Sequence, residues 1–424
     1  MGKVLMDTWP LLLGIMLFMV GNGMQGTLLG VRGGLEGFPT FEMSIVMSAY
    51  FVGFLGGSRM TPGLIRRVGH VRVFAALGSL ISAVLVLYPV VAHPIAWTVL
   101  RAIIGFCFSG VYVTAESWLN NATTNETRGQ ALSAYIIVQM VGIVAAQGLI
   151  TLGDPGGYVL FIVPSVLVSL AFAPILLSVT PAPVFETTKR MSLAELYAIS
   201  PLGCVGMFIL GGMFAALFGM SAVYGAEAQL SVREISAFVA SIYLGGMVAQ
   251  YPIGWLSDRI DRRLLVAGVA ALCAAMALAE FFLGSGGVAL LVVGFVIGGT
   301  TNPLYALLLA HTNDFLESDD MAAASGGLVF INGVGAIAGP LVVGWFMGVA
   351  GPPGFFLYLF GLGALLAGYA TWRMTRRPTA EETGQYVTVV PTVSPVAVEL
   401  AQEAAWQSDD TGEDGGSHET KIAL

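Results

Sequence analysis

Arg101 is the residue whose type and surroundings in the sequence most strongly suggest chemistry. It lies in the segment LRAIIG, inside an apolar run that covers residues 95–119. An ionisable group in such a run is costly to bury and normally faces a polar cavity. Because Arg101 is only about seven residues from one end of the run, its side chain could instead snorkel to the interface.

Two further polar residues share the helical face of Arg101. At about 100° per residue, Tyr112 lies about 20° around the helix from Arg101, and Glu116 lies about 60° around it. Glu116 is about 22 Å along the helix axis from Arg101 at the α-helical rise, so the two cannot be partners. We expect Glu116 to have a structural role, with proton coupling through Arg101 or Glu116 as the alternative.

Polar residues also occur within other apolar runs. Amide and hydroxyl groups at these depths predict a central cavity that binds a small solute, although each one could equally hold two helices together. Amide, hydroxyl and guanidinium groups outnumber acids in this set, which favours an uncharged or anionic solute. Together with Arg101 and Tyr112, the predicted cavity residues are Asn22, Gln25, Gln139, Asn302, Tyr305 and Asn332.

The composition defines the elements that must position these residues. Hydrophobic residues make up 56% of the 424 positions and charged residues only 10%, which indicates a chain largely solvated by lipid. Splitting the chain at its polar loops predicts an all-α membrane protein with twelve transmembrane helices. The apolar runs are too long and too uniform for barrel strands.

A polar linker, TPAPVFETTKRMSLAELY, divides these helices into two sets of six. We expect an N-terminal six-helix bundle over 1–180, a cytoplasmic linker over 181–198, a C-terminal bundle over 199–375 and a disordered acidic tail over 376–424. The basic residues fall overwhelmingly in the loops on one side. By the positive-inside rule, that side and both termini are cytoplasmic.

The two halves repeat in sequence. A shift of 193 residues superposes Gly105 on Gly298, Tyr112 on Tyr305 and Gln139 on Asn332. Shared hydrophobicity does not explain matched polar residues. Two related bundles that both begin inside predict pseudo-symmetric halves about an axis along the membrane normal.

Charge is concentrated in one short turn, GWLSDRIDRR, which covers residues 254–263 between two apolar runs. It resembles the G-x-L-[AS]-D-R-x-G-R-R signature of the major facilitator superfamily, except that Asp261 replaces a glycine. The equivalent first-half turn, PGLIRRVGH, is a degenerate version. The segments RRVGHVR and ESWLNNATTNETRGQ further resemble the YcaD-type bacterial branch of that superfamily.

The resemblance implies roles for particular residues. Asp258 and Arg259 would form a gating latch that holds helices together in one state and releases them in another. The alternative for any basic turn is topology alone, which we favour for the first-half turn. In the family's R-x-x-x-G pattern, matched by Arg101 and Gly105, the arginine is implicated in proton coupling or substrate binding. Other latch candidates are Arg67, Arg262 and Arg263.

One motif argues against a drug antiporter. GAIAGPLVVG resembles the G-x-x-x-G-P-x-x-G motif that antiporters of the superfamily carry in their fifth helix, but here it lies in the eleventh. In the fifth helix, Gln147 occupies the proline position. Close helix packing and a kink at Pro340 explain the motif without antiport.

We therefore expect a secondary transporter that works by alternating access in the bacterial inner membrane, with proton symport as one option for its coupling. Its expected partners are a small-molecule substrate, protons and the lipid bilayer. We expect a monomer that binds no nucleic acid, cofactor or metal. The three lysines form no nucleotide-binding loop, so a gradient must supply the energy. Alternatives are a drug or metabolite efflux antiporter, a channel, or a membrane enzyme.

Overall fold

The structure is a computed structural model that describes residues 2–121, 123, 125–176, 191–284, 286–316 and 318–376. These residues fold into α-helices joined by short turns, and no strand occurs among them. The expectation of an all-helical membrane protein is confirmed. The expected disordered tail, apart from its first residue, and most of the expected linker lie outside the described residues.

The first half contains six helices in an unbroken series of hairpins. Apolar runs rich in leucine, valine and alanine favour helix throughout, and glycine or proline marks all of the turns between them except the one from α4 to α5. The helices are α1 (Gly2–Leu35), α2 (Thr40–Val68), α3 (His70–Leu87), α4 (Pro94–Asn121), α5 (Asn125–Ile150) and α6 (Val159–Leu176).

The second half begins with a short helix and continues with long ones. One long segment is interrupted by a π turn at Ala216–Met220, which separates α8 from α9. Capping boxes begin two of the helices, at Ser192 before α7 and at Ser231 before α10. The helices are α7 (Leu193–Ile199), α8 (Pro201–Ala215), α9 (Ser221–Glu227), α10 (Val232–Ser257), α11 (Arg262–Leu283), α12 (Gly287–Asn313), α13 (Ser318–Ala350) and α14 (Gly354–Met374).

The number of membrane crossings agrees closely with the sequence prediction. Within the described residues, 11 helical segments are long and apolar enough to span a membrane. The segment that does not reach that length is α6, whose described apolar part, Val159–Ala173, is shorter. The twelfth expected span is therefore present as a helix but is not counted as a full crossing.

The sequence repeat corresponds to equivalent close contacts in the two halves. Gly105 of α4 lies so close to α2 that a Cβ there would overlap the backbone carbonyl oxygen of Tyr50. Gly298 of α12 lies in the same way against the carbonyl oxygen of Ile242 in α10. Small residues that let two backbones approach are typical of membrane helix pairs. The halves thus share one packing scheme.

The two charged turns differ in structure. In the second half, α10 ends at Ser257, and Asp261 caps α11 by accepting a hydrogen bond from the Arg263 backbone N–H at 2.9 Å. In the first half, Pro62 lies inside α2, and the turn comes only at Gly69, whose φ is +86°. Glycine permits this left-handed backbone, which ends the helix later than the sequence motif predicts.

Candidate functional site

A cavity lies between the two halves, midway along the helices. Its volume is about 110 Å³, counted as space for the centres of water-sized molecules, and it is partly open to solvent. Both halves contribute to the wall. The lining residues are Asn22, Gly23, Gln25, Gly26, Tyr50, Phe51, Phe54, Leu55, Ser58, Arg101 and Ile143 from the first half, and Phe214, Phe218, Gly219, Tyr243, Val329, Asn332, Gly333 and Ala336 from the second.

A directional chain of hydrogen bonds forms the polar part of the wall. Arg101 of α4 donates to the Gln25 side-chain oxygen, and the Gln25 amide donates to the Asn22 side-chain oxygen at 3.1 Å. The Asn22 amide donates to the Tyr112 hydroxyl at 3.1 Å, which in turn lies 3.4 Å from the sulfur of Met19. Because arginine can only donate, it fixes which way each amide points.

Arg101 is buried, with 3% of its surface exposed. Its guanidinium carbon lies 4.9 Å from the centroid of the Tyr50 ring, and one terminal nitrogen lies 3.4 Å from the sulfur of Met47. Its Nε has no hydrogen-bond partner. Among the described residues, no carboxylate oxygen lies within 4.0 Å of a guanidinium nitrogen of Arg101, so Arg101 forms no ion pair there. The side chain therefore turns inward to the cavity rather than snorkelling.

At the end of the bundle that holds the α1–α2 turn, the halves meet closely. A Cβ at Gly34 of α1 would lie 3.0 Å from the Cβ of Ala226 in α9. Thr40 of α2 donates a hydrogen bond to Glu227. Ser48 of α2 donates to the backbone oxygen of Ile337 in α13 at 2.6 Å. These contacts close that end of the cavity, which the sequence predicts to be the outer end.

The contact between α2 and α13 continues toward the opposite end. A Cβ at Gly333 would lie 3.1 Å from a methyl carbon of Leu55. Further along, the guanidinium of Arg59 stacks over the ring of Phe330 at 3.9 Å. These two helices thus remain paired across the halves on both sides of the cavity.

In the charged turn of the second half, Arg262 makes the contacts between helices. It is 3% exposed and forms an ion pair with Asp314, which follows α12. It also donates to the backbone oxygen of Ala310 at 3.3 Å and lies 3.8 Å from Asp258. Arg262 therefore links α10, α11 and α12.

Arg259, which the motif favoured for the latch, is placed differently. It is exposed, stacks on Trp255 of its own helix at 4.0 Å and donates to that residue's backbone oxygen at 2.8 Å. Arg263 pairs with Asp261 at 2.7 Å inside the turn. In the first half Arg67 is exposed near the end of α2. In this conformation, the interhelical charge pair involves Arg262.

Glu116 lies deep in α4, away from the cavity wall. It is fully buried and accepts a hydrogen bond from the Tyr135 hydroxyl of α5 at 3.0 Å. It also lies near Tyr305, which belongs to the second half. Glu116 thus lies in the first half close to the second.

The predicted cavity residues are only partly brought together. Asn22, Gln25, Arg101 and Asn332 line the cavity, and Tyr112 joins them through its hydrogen bond to Asn22. Three others are buried but do not line it: Gln139, Asn302 and Tyr305. Asn302 donates to the Gly298 backbone oxygen of its own helix at 3.1 Å.

The sequence analysis missed the aromatic part of the wall. Phe218 lies in the π turn, with its ring centroid 4.7 Å from that of Tyr243 and 5.6 Å from that of Phe214. Tyr50 and Phe54 form a second aromatic pair on the other half, at 6.0 Å. No signal in the sequence separates these aromatic residues from those of the hydrophobic core.

Long apolar helices around a central polar and aromatic cavity describe a multi-pass membrane protein with a candidate binding site. Residues 202–406 match the sequence model of the Major Facilitator Superfamily. An uncharacterized MFS-type transporter of Yersinia pestis (strain Pestoides F) is 25% identical over 348 residues, which is 80% of this chain and 88% of the relative. The uncharacterized MFS-type transporter YcaD of Salmonella agona (strain SL483) is 26% identical over 340 residues, with shares of 78% and 86%.

Solved structures show the same fold. A mutant of the nucleoside transporter NupG superposes with a TM-score of 0.74 at 15% identity, covering 86% of this chain and 99% of the other. A bacterial homolog of the human lysosomal transporter Spinster, inward-facing and unoccupied, gives 0.63 at 13% identity, with shares of 95% and 98%. The chain therefore resembles the major facilitator superfamily in sequence and in fold, which points to a membrane transporter rather than an enzyme.

The first prediction concerns the hydrogen-bond chain. We expect Tyr112→Phe to lower the free energy of unfolding by about 1–3 kcal/mol, because it removes the acceptor of the Asn22 amide. Tyr305→Phe is the matched control, since the buried Tyr305 makes no hydrogen bond among the described residues. Thermal unfolding of the purified protein in detergent compares the two. Equal effects would contradict the proposed chain.

The second prediction concerns the charged turn. Arg262→Ala leaves the buried Asp314 without this partner, which costs about 3–5 kcal/mol for buried ion pairs. Arg259→Ala removes only an exposed stack on Trp255, so we expect a change below about 1 kcal/mol. Thermal unfolding again measures both variants. If Arg259→Ala proves the more damaging, Arg262 is not the main link between these helices.

Proposed function

We propose that this chain is a secondary active transporter that moves a small solute across the bacterial inner membrane by alternating access, with both termini cytoplasmic. The halves, 1–180 and 199–375, would rock about the cavity and open it to one side at a time. The linker 181–198 would join them, and the acidic tail 376–424 would extend into the cytoplasm.

The observation that carries this proposal is the position of the cavity. Its wall is built by both halves, and these are related by a repeat and meet tightly at the α1–α2 end. A rocking motion about such a cavity would break the contacts of Gly34 and Thr40 while leaving each half intact. Alternating access requires this kind of separable contact.

The fifth helix gives a reason to prefer this proposal to drug efflux by antiport. At the motif's proline position, Gln147 accepts a hydrogen bond from Thr27 at 3.1 Å and donates to the backbone oxygen of Gly23 at 3.2 Å. Two side-chain hydrogen bonds therefore tie α5 to α1, where the antiporter motif has a proline.

A reversible cross-link tests alternating access. In the double variant Gly34→Cys/Ala226→Cys, the two Cβ positions are close to the spacing of about 3.5–4.5 Å that a disulfide requires. A ligand is first selected from a metabolite library by thermal stabilisation of the purified protein. We expect counterflow of that ligand in proteoliposomes to stop on oxidation and to return on reduction.

The single variant Gly34→Cys is the control for this experiment, and it should exchange ligand under both conditions. The native Cys107, Cys204 and Cys273 are buried and do not compete for the cross-link. Counterflow that continues in the fully cross-linked protein would exclude a rocking mechanism. Flux without counterflow would favour a channel.

The proposal includes proton coupling, with Glu116 as the proton carrier. Glu116 and Glu280 are buried glutamates of the described part of the chain, and Glu116 lies near Tyr305 of the second half. A protonated Glu116 would be compatible with its buried setting when the halves are closed. An ionised Glu116 would be favoured when water reaches it.

Glu116→Gln separates coupling from exchange. We expect this variant to retain counterflow, which needs no net proton movement, and to lose at least tenfold in accumulation driven by a proton gradient. Glu280→Gln is the matched control, because it makes the same change at the other buried glutamate. Normal accumulation in Glu116→Gln would exclude this residue as the carrier.

A further inference from the structure

The charge of Arg101 is not balanced within the cavity. Arginine stays protonated in proteins, and a buried cation without a counter-ion costs several kcal/mol. Here the acceptors are an amide oxygen and a thioether sulfur, which is a weak acceptor, while Nε makes no hydrogen bond. None of the lining residues is acidic. The cavity is therefore chemically incomplete without an anion.

The space available to such an anion lies between the two halves. A Cβ at Gly26 would be 3.8 Å from a terminal nitrogen of Arg101 and 3.9 Å from the backbone oxygen of Phe218. The guanidinium thus faces the π turn of the second half across a glycine. A ligand group bound to Arg101 would lie beside the aromatic wall.

The aromatic wall indicates what the rest of the ligand is like. The rings of Phe214 and Phe218 are within 19° of parallel, and Tyr243 is tilted from Phe218 by 32°. On the other half, the rings of Tyr50 and Phe54 are 31° from parallel. Both halves thus present aromatic rings to the cavity, and a flat ring stacks favourably on aromatic faces.

We propose that the cavity binds a small aromatic organic monoanion, with its carboxylate on Arg101 and its ring between the aromatic pairs of the two halves. A single guanidinium matches a singly charged carboxylate in charge and in its paired donors. A doubly charged phosphate would remain half neutralised. This inference gives the substrate class of the proposed transporter and rests on that proposal.

Three ligands with the same ring system and different charges test the proposal. Indole-3-acetate is the anion, indole-3-acetamide its neutral isostere and tryptamine the cation. With the purified full-length protein, we expect titration calorimetry to show at least tenfold tighter binding of the acetate than of the acetamide. We expect no binding of tryptamine. Equal affinities for acetate and acetamide, or no binding of any of the three, would overturn the proposed class.

Variants then assign the charge preference to Arg101. In Arg101→Gln, we expect the acetate and acetamide to bind equally, whereas a purely structural role would weaken both and keep their ratio. Arg101→Lys should retain a preference for the anion and is the second variant if the glutamine substitution prevents folding. Arg59→Gln is the matched control, because it removes an arginine outside the cavity wall. A preference that survives in Arg101→Gln would refute the assignment.

The aromatic wall is tested separately. Phe218→Leu should weaken the binding of indole-3-acetate severalfold, in line with about 0.5–1.5 kcal/mol for an aromatic pair. It should leave the ratio of the affinities for the acetate and the acetamide unchanged. Unchanged affinity would exclude stacking on the π turn.

Failure of this inference and failure of transport are distinguishable. Binding of the acetate through Arg101 without counterflow would refute the transport proposal and support the site. Counterflow of a neutral or cationic ligand, with no binding of the anion, would support transport and refute the substrate class.

Discussion

The buried guanidinium of Arg101 determines the arrangement of the polar part of the cavity. Every nitrogen of the guanidinium is a hydrogen-bond donor, so a side chain that bonds to it must offer an acceptor atom. Gln25 does so, and this choice sets the orientation of Asn22 and then of Tyr112. Two helices, α1 and α4, are thereby held in one arrangement around a positive charge. Hydrogen bonds that polarise one another in a low dielectric make this arrangement strict.

The repeat explains how one packing scheme supports two different walls. The position equivalent to Arg101 is Gly294, where a Cβ would already lie 2.9 Å from the ring of Phe238. No arginine could fit there without displacing that helix contact. Gln25 and Phe218 both line the cavity, so one half contributes an amide to the wall and the other contributes an aromatic ring. The halves are alike in their backbone contacts and different in the chemistry that they contribute.

These features show what the sequence could and could not reveal. Hydrophobicity and the basic loops were sufficient for the fold, because a lipid environment leaves few alternatives to long helices. Arg101, Asn22 and Gln25 were found because polar groups in apolar runs are conspicuous. Tyr305 and Asn302 were equally conspicuous. However, the depth of a residue along a helix does not tell whether the residue faces the cavity or a neighbouring helix. The aromatic residues were missed because they are indistinguishable by type from the hydrophobic core.

The division of the cavity between a charge and an aromatic wall bears on how a ligand could drive a conformational change. A ligand shifts an equilibrium only by the difference between its affinities for the two states. A ligand that contacted only Arg101 and its network would move with the first half and would favour neither state. A ligand that bridges Arg101 and the π turn gains its second contact only when Gly26 and Phe218 face each other closely. Its binding energy would then depend on the relative position of the halves, which is the condition for coupling binding to their movement.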